Sequence, residues 1–256
     1  MPSNNKDHVA FKDYFSGHSQ DYDAYRPHYP DELFFHLSHV TEHHNCAWDC
    51  ATGTGQAAVE LAKYYNKVIA TDASDNQVRQ AAELKNVQYA TATAEDSGIV
   101  EHSIDLITVA QALHWFDLDR FAKEVDRVLV DHGVLAVWTY NLLTIEQDID
   151  EYINHLYSDL LGPYWAPERT LVENGYQDIN FPFTELDVPQ FDMYSHWNLR
   201  QLIGYLNTWS AVKQYESVKQ HNPIELIFQE LATAWGDGEQ ERPVRWPLAL
   251  RIWRKS

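Results

Sequence analysis

The chain is poor in cysteine, in basic residues and in long apolar runs, and each shortage removes a class of protein. Its 256 residues include two cysteines, Cys46 and Cys50. Their number and spacing build neither a disulfide framework nor a closed zinc site. They read as small buried residues flanking a central strand. Lys and Arg total 19 against 38 Asp and Glu, a formal charge of −19. A field of that sign repels nucleic acid and anionic membranes, which argues against a nucleic-acid-modifying enzyme and against a membrane partner. No apolar run reaches the length of a membrane span. The opening Met1-Pro2-Ser3-Asn4-Asn5-Lys6-Asp7 has no leader pattern, so the cytoplasm is the expected location. His36, His39 and His43 recur at helical spacing, but no carboxylate or thiolate completes a ligand set, so no metal is expected. The chain has no internal repeat or low-complexity tract.

What is present is a regular strand–helix alternation organised around one stretch. In Ala47-Trp48-Asp49-Cys50-Ala51-Thr52-Gly53-Thr54-Gly55-Gln56 an apolar approach ends in an acid, a turn of small residues follows, and a helical pattern begins. Such a loop lets a ligand approach the backbone closely. Val68-Ile69-Ala70-Thr71-Asp72 reads as a second strand ending in an acid, about 20 residues on, the distance at which a carboxylate reaches ribose hydroxyls. Two nucleotide readings compete here. A nicotinamide dinucleotide needs its pyrophosphate at a helix N-terminus behind G-x-G-x-x-G. The loop Ala51-x-Gly53-x-Gly55 is one residue tighter, and Asp49 beside it repels a pyrophosphate. A carboxylate there suits an ammonium or sulfonium ligand.

These pieces resemble the class I S-adenosylmethionine-dependent methyltransferases, most closely the small-molecule branch that includes trans-aconitate methyltransferase-like proteins. The matching motifs are Asp49 to Gly55, Asp72-Ala73-Ser74, Ala94-Glu95-Asp96, Ile104 to Phe116, and Glu124 to Leu129 leading to Gly133-Val134-Leu135. The match spans residues 11–140, and its specificity lies in the order of several motifs. Ala51 departs from the pattern, standing where the family usually has its first glycine. Alanine is the smallest change and fits there if φ is negative.

The resemblance implies a doubly wound, Rossmann-like α/β fold. Its sheet would be mostly parallel and seven-stranded, with a C-terminal antiparallel hairpin and a helical lid. Residues 1–30 would form an N-terminal cap, 31–140 the cofactor-binding core, and 141–256 the lid helices and last strands. The cofactor implied is S-adenosylmethionine, leaving as S-adenosylhomocysteine. By resemblance Tyr22 and Arg26 touch its methionine end. Asp49, Ala51, Thr52, Gly53 and Gln56 hold the methionine moiety, Asp72 the ribose, and Ala73, Ala94 and Glu95 the adenine. Thr93 stands where many relatives have an acid. Gln111 lies just past the fourth strand, where open α/β sheets place ligands.

On the acceptor side, His114 is either a general base or a helix cap, and Trp115 either an aromatic wall for the sulfonium or core. Trp138, Tyr140, Tyr164, Trp165, Glu168 and Arg169 are candidates for the substrate pocket. Arg169 either binds a substrate carboxylate or pairs with Glu168 or Glu173. The expected activity is methyl transfer to a small molecule, on oxygen of an organic acid or hydroxyl compound. The alternatives are a non-catalytic cofactor-binding protein of this fold and an NAD-dependent oxidoreductase. No oligomeric state follows from the sequence.

Overall fold

A computed structural model describes residues 27–256. Helix α1 (Asp31–Val40) opens behind Pro30 with Asp31 and Glu32 in its first turn, where carboxylates face the free N–H groups. Strand β1 (Cys46–Cys50), helix α2 (Gln56–Leu61) and strand β2 (Lys67–Asp72) follow. Helix α3 (Asp75–Val78) is a single turn; the residue pattern at 77–84 reads as helix, but the segment buries no side chain to hold further turns. Then come β3 (Val87–Thr91), β4 (Ile104–Ala110), α4 (Leu118–Val128) and β5 (Leu129–Tyr140). Beyond them lie α5 (Gln147–Asn154), α6 (Arg169–Glu173), β6 (Thr184–Leu186), β7 (Phe191–Trp197), α7 (Leu199–Asn207), α8 (Ser210–Lys219), α9 (Phe228–Trp235) and β8 (Arg242–Arg254).

The strands form one sheet of order β3-β2-β1-β4-β5-β8-β6, with β7 also paired to β8. Strands β1 to β5 run parallel, and β8 runs antiparallel to β5, β6 and β7. This is the expected doubly wound sheet. It has eight strands because β8 is long enough for one half to pair with β6 and the other with β7. Pro247 sits opposite Asp192 of β7, just outside the stretch where β8 pairs with β5. That free side suits a residue with no N–H.

Both sheet faces are covered, so the parallel strands read as apolar runs. One face carries Ala47, Val68, Ala70, Leu106 and Ala136 against α1, α2 and the C-terminal helices. The other carries Trp48, Ile107, Val109, Leu135 and Val137 against α4. The apolar spacing at 198–215 reads as one helix, but the segment forms two. Asn198 caps α7 with a capping box through Gln201, and the chain breaks at Thr208-Trp209 before α8. The apolar spacing at 149–160 reads as one helix, but it changes type after Asn154, where His155–Leu160 is a π-helix.

Candidate functional site

The glycine loop lies at the carboxyl end of β1. Ala51, Gly53 and Gly55 have φ of 57°, 58° and 91°, so alternate residues are left-handed. Thr52 N–H donates to the Thr71 carbonyl at 2.9 Å, and Gly55 N–H returns to the Thr52 carbonyl at 3.0 Å. The positive φ of Ala51 reverses the expectation for that residue. A left-handed alanine costs about 1–2 kcal/mol, and glycine in its place adds unfolded-state freedom worth about 0.4–1 kcal/mol. Ala51→Gly is therefore expected to raise stability by about 0.5–1 kcal/mol, measured by urea denaturation. At Gly53 an added Cβ meets no atom of the described residues within 4 Å, so among these residues the space above the loop is an open cradle.

Asp49 is buried beneath the loop. Its carboxylate accepts from Thr52 Oγ1 at 2.5 Å and Thr108 Oγ1 at 2.8 Å. Burial pushes its pKa up to about 6, against the lowering by those bonds. Its two oxygens tie the loop to β4, and the residue is 1% exposed. Asp72 closes the loop from β2. Its oxygens accept from the N–H groups of Gly53 at 2.9 Å and Ser74 at 2.8 Å. Gln56 donates to the Pro27 carbonyl and meets His28, which ties the segment before α1 to the loop. Ala73 is half-buried and Ala94 buried. Glu95 accepts from the Asp117 N–H at 2.9 Å, joining its loop to the start of α4. Tyr22 and Arg26 lie outside the described residues.

A second cluster lies at the carboxyl ends of β4 and β5. Gln111 is left-handed, with φ of 57°. Its N–H donates to the Trp138 carbonyl at 2.9 Å and its Nε2 to the Tyr140 carbonyl at 2.9 Å, while Thr139 Oγ1 donates to its Oε1. His114 Nδ1 lies 2.9 Å from Tyr176 Oη, and its ring packs on Trp115 at 4.7 Å. Burial first, and the charge of Arg169 second, push the His114 pKa down to about 4, so the imidazole is neutral at pH 7.

Arg169 donates from Nε to Tyr157 Oη at 2.9 Å and from Nη2 to Asn141 Oδ1 at 2.7 Å. Its guanidinium lies 4.8 Å from the Trp165 ring centre, a cation–π contact that holds the fork in place. Among the described residues it forms no ion pair with Glu168 or Glu173, and Nη1 has no hydrogen-bond partner. Glu173 instead accepts from Tyr157 Oη.

Trp165 donates to the Tyr157 carbonyl at 3.0 Å, and Tyr164 packs on Tyr215 at 4.9 Å. Trp138 is corrected to a core residue. It is fully buried against Tyr29 and Phe34 because its side chain lies on the sheet face under α1. Tyr140 is also buried, and its carbonyl is what meets Gln111.

Sequence reading did not single out Asn141, Tyr157, Thr139 or Tyr176. Asn141 follows β5 directly, so the rule that marks Gln111 also marks it. Tyr157 lies beside Ile153 and Leu156 on the buried side of its segment, where a tyrosine reads as core. Tyr176 reaches His114 through two consecutive left-handed residues, Gly175 and Tyr176, which no periodicity signals.

A family model described as a methyltransferase domain matches residues 48–137. A protein of Dictyostelium discoideum named as a methyltransferase is 34% identical over 255 residues, covering 97% of each chain. A structure described as a type II methyltransferase from Anaeromyxobacter dehalogenans is 41% identical with a TM-score of 0.85. The alignment covers 90% of this chain and 97% of that one. An S-adenosylmethionine-dependent methyltransferase of Saccharomyces cerevisiae is 27% identical over 169 residues, covering 60% of this chain and 56% of that protein. The chain belongs to the class I S-adenosylmethionine-dependent methyltransferases, and S-adenosylmethionine is its cofactor.

Proposed function

We propose that this methyltransferase acts on oxygen of a small molecule, an organic acid or a hydroxyl compound, in a pocket at the carboxyl ends of β4 and β5. The observation that carries this is the Arg169 fork. Tyr157, Asn141 and Trp165 hold the guanidinium, and Nη1 has no partner among the described residues. A planar fork fixed in this way matches a carboxylate. It also supplies a local cation in a chain of formal charge −19. That global charge favours neither nucleic acid nor an anionic membrane as partner, and no helix among the described residues is long and apolar enough to cross a membrane.

The cofactor side fits the same reading. Gly53 and the open cradle above it admit the methionine moiety, Asp72 holds the ribose, and Ala73, Ala94 and Glu95 border the adenine. Gln111 stands between this side and the acceptor. The helices between β5 and β8 serve as the acceptor lid, and most of the cap expected at residues 1–30 lies outside the described residues. Bound S-adenosylmethionine supplies an electrophilic methyl group on a sulfonium, so the protein chiefly aligns the acceptor and excludes water.

Calorimetric titration with S-adenosylhomocysteine tests the cofactor side. Asp72→Ala is expected to weaken binding about tenfold to a hundredfold, from the loss of charge-assisted hydrogen bonds. NAD is expected to give no response. Unchanged binding in Asp72→Ala would remove the ribose assignment. Screening acids and alcohols as acceptors, with wild type and Arg169→Ala side by side, tests the acceptor side. Arg169→Ala is expected to raise KM for an acid acceptor more than it lowers kcat, because the fork binds without touching the methyl group.

A further inference from the structure

The geometry points to β7 as the surface on which two copies of this chain meet, strand to strand about a two-fold axis at Tyr194. The direction of the β7 backbone groups is fixed by its neighbour. Arg245 of β8 donates its N–H to the Thr144 carbonyl at 3.0 Å, and its own carbonyl accepts from the Thr144 N–H at 2.8 Å. Both backbone groups of Arg245 therefore point away from β7. Its opposite residue across the ladder is Tyr194, so the two form a non-hydrogen-bonded pair. The N–H and C=O of Tyr194 then point off the edge of the sheet. The pattern alternates along an antiparallel pair, so those of Asp192 and His196 point off the edge as well. These two residues stand opposite Pro247 and Pro243. Proline fits there because the β7 side needs no N–H from it. Among the described residues no strand pairs with β7 on its outer side, and these outward backbone groups have no hydrogen-bond partner.

Such an edge is a template for another strand, and proteins guard it with lysine, proline, a bulge or a covering element. Phe191–Trp197 contains no lysine or proline, and its register with β8 runs unbroken from end to end. Met193 and Trp197 face the core, while Tyr194 on the opposite face is 63% exposed.

The occupant is a second copy because the strand complements itself. The antiparallel register centred on Tyr194 pairs every outward N–H and C=O of Asp192, Tyr194 and His196 with the other copy. It sets Tyr194 against Tyr194, and Asp192 against His196, a carboxylate facing an imidazole that can donate to it. Centring on Asp192 sets two carboxylates face to face and leaves His196 unpaired. Charge selects the same place. Two copies with a formal charge of −19 repel, so they meet where the local charge is small. On this face Asp192 is paired with Arg245 Nε at 3.0 Å and accepts from Tyr194 Oη at 3.2 Å. Pro243 and Pro247 are the exposed residues on either side of Arg245, so the strip carries no net charge. The product is an isologous dimer whose sheet runs through both copies.

Sedimentation equilibrium of the full chain at pH 7 tests this. Wild type is expected to show a monomer–dimer equilibrium, a weak one because a single strand edge is a small interface. Tyr194→Pro removes an N–H that β8 does not use, so the fold tolerates it. Tyr194→Lys sets like charges against each other across the axis. Each is expected to raise the dimer dissociation constant about tenfold or more, with urea denaturation showing both variants folded. Cross-linking reads the register. Oxidation of Tyr194→Cys is expected to join the copies, since directly opposed residues of a hydrogen-bonded pair lie about 5.5 Å apart at Cα. His196→Cys is expected to stay separate under the same oxidant, because its counterpart lies four residues away, about 13 Å along the strand. A wild type that is monomeric up to millimolar concentration, or a dimer left intact by both Tyr194→Pro and Tyr194→Lys, overturns the proposal. Cross-linking of His196→Cys in preference to Tyr194→Cys overturns the axis at Tyr194.

Discussion

Gly55→Ala is expected to destabilise the protein by about 3 kcal/mol and to weaken binding of S-adenosylhomocysteine with it. Two costs add. Gly55 sits at φ 91° and ψ 18° as the N-cap of α2, where a Cβ costs about 1–2 kcal/mol. The added Cβ would also lie 2.5 Å from Tyr89 Oη and 3.1 Å from Tyr89 Cε1. Relieving that overlap costs about 1–3 kcal/mol. Tyr89 is on the row of the sheet that holds Asp49 and Ala70, and its hydroxyl is buried without a partner among the described residues.

The tyrosine oxygen is thus the atom in the way, and removing it leaves no donor or acceptor stranded. Tyr89→Phe is expected to cost little alone and to return about 1 kcal/mol or more in the Gly55→Ala background, a coupling that urea denaturation of the four proteins would measure. If Gly55→Ala unfolds within about 0.5 kcal/mol of wild type, the loop does not have this geometry.

Glu124 is the other position where one change has a large effect, and there the effect depends on pH. Its Oε1 accepts from the Ser97 N–H at 2.9 Å, the Ser97 hydroxyl and Arg127 Nη2, and its Oε2 accepts from Arg127 Nε at 2.8 Å. Burial alone raises its pKa, but the bonds from Arg127 and Ser97 more than offset it and hold the carboxyl at about 2. The folded value is below the unfolded value of 4.5, so the folded state binds this proton less tightly. Its stabilisation is complete above pH 4.5 and is lost as pH falls toward 2.

At 7% exposure the carboxylate is little screened, although Arg127 is partly exposed. The contribution is therefore about 2–3 kcal/mol at pH 7, somewhat under the full value of the shift. Glu124→Gln should lose that amount at pH 7 and nothing relative to wild type near pH 2. A difference that stays constant from pH 7 to pH 2 would show that the charge is not what ties the 94–98 loop to α4. Because that loop carries Ala94 and Glu95, the variant should also weaken cofactor binding at pH 7.

Sequence alone was enough for the parallel core. Strands buried on both faces need mostly apolar residues, and β1, β2 and β4 have short apolar runs at their centres. Their order along the chain, with helices between, leaves few topologies once crossovers are right-handed. The glycine loop and Asp72 were legible for the same local reason. Small residues after a strand and an acid after the next strand are set by backbone conformation and spacing, both written in nearby residues. Asp49 was legible as an acid beside the loop but not as its brace. Thr108 lies on a different strand, and only pairing of β1 with β4 brings its hydroxyl to that carboxylate.

The acceptor side was decided by tertiary structure. Arg169 stood out only as a cation in an aromatic loop, with binding and surface pairing both open. Its partners come from the end of β5 and from a π-helix, and packing of α6 brings the three together. The sign of φ at Ala51 and Gln111 was equally invisible. An alanine or glutamine carries no local preference for the left-handed region, and each is held there by hydrogen bonds to a neighbouring strand. The sequence by itself determined the sheet, the cofactor loop and the acid that closes it, because each depends on contacts within one strand–helix unit. The tertiary structure decided which side chains meet at the carboxyl edge, because that depends on hydrogen bonds between residues far apart in the chain.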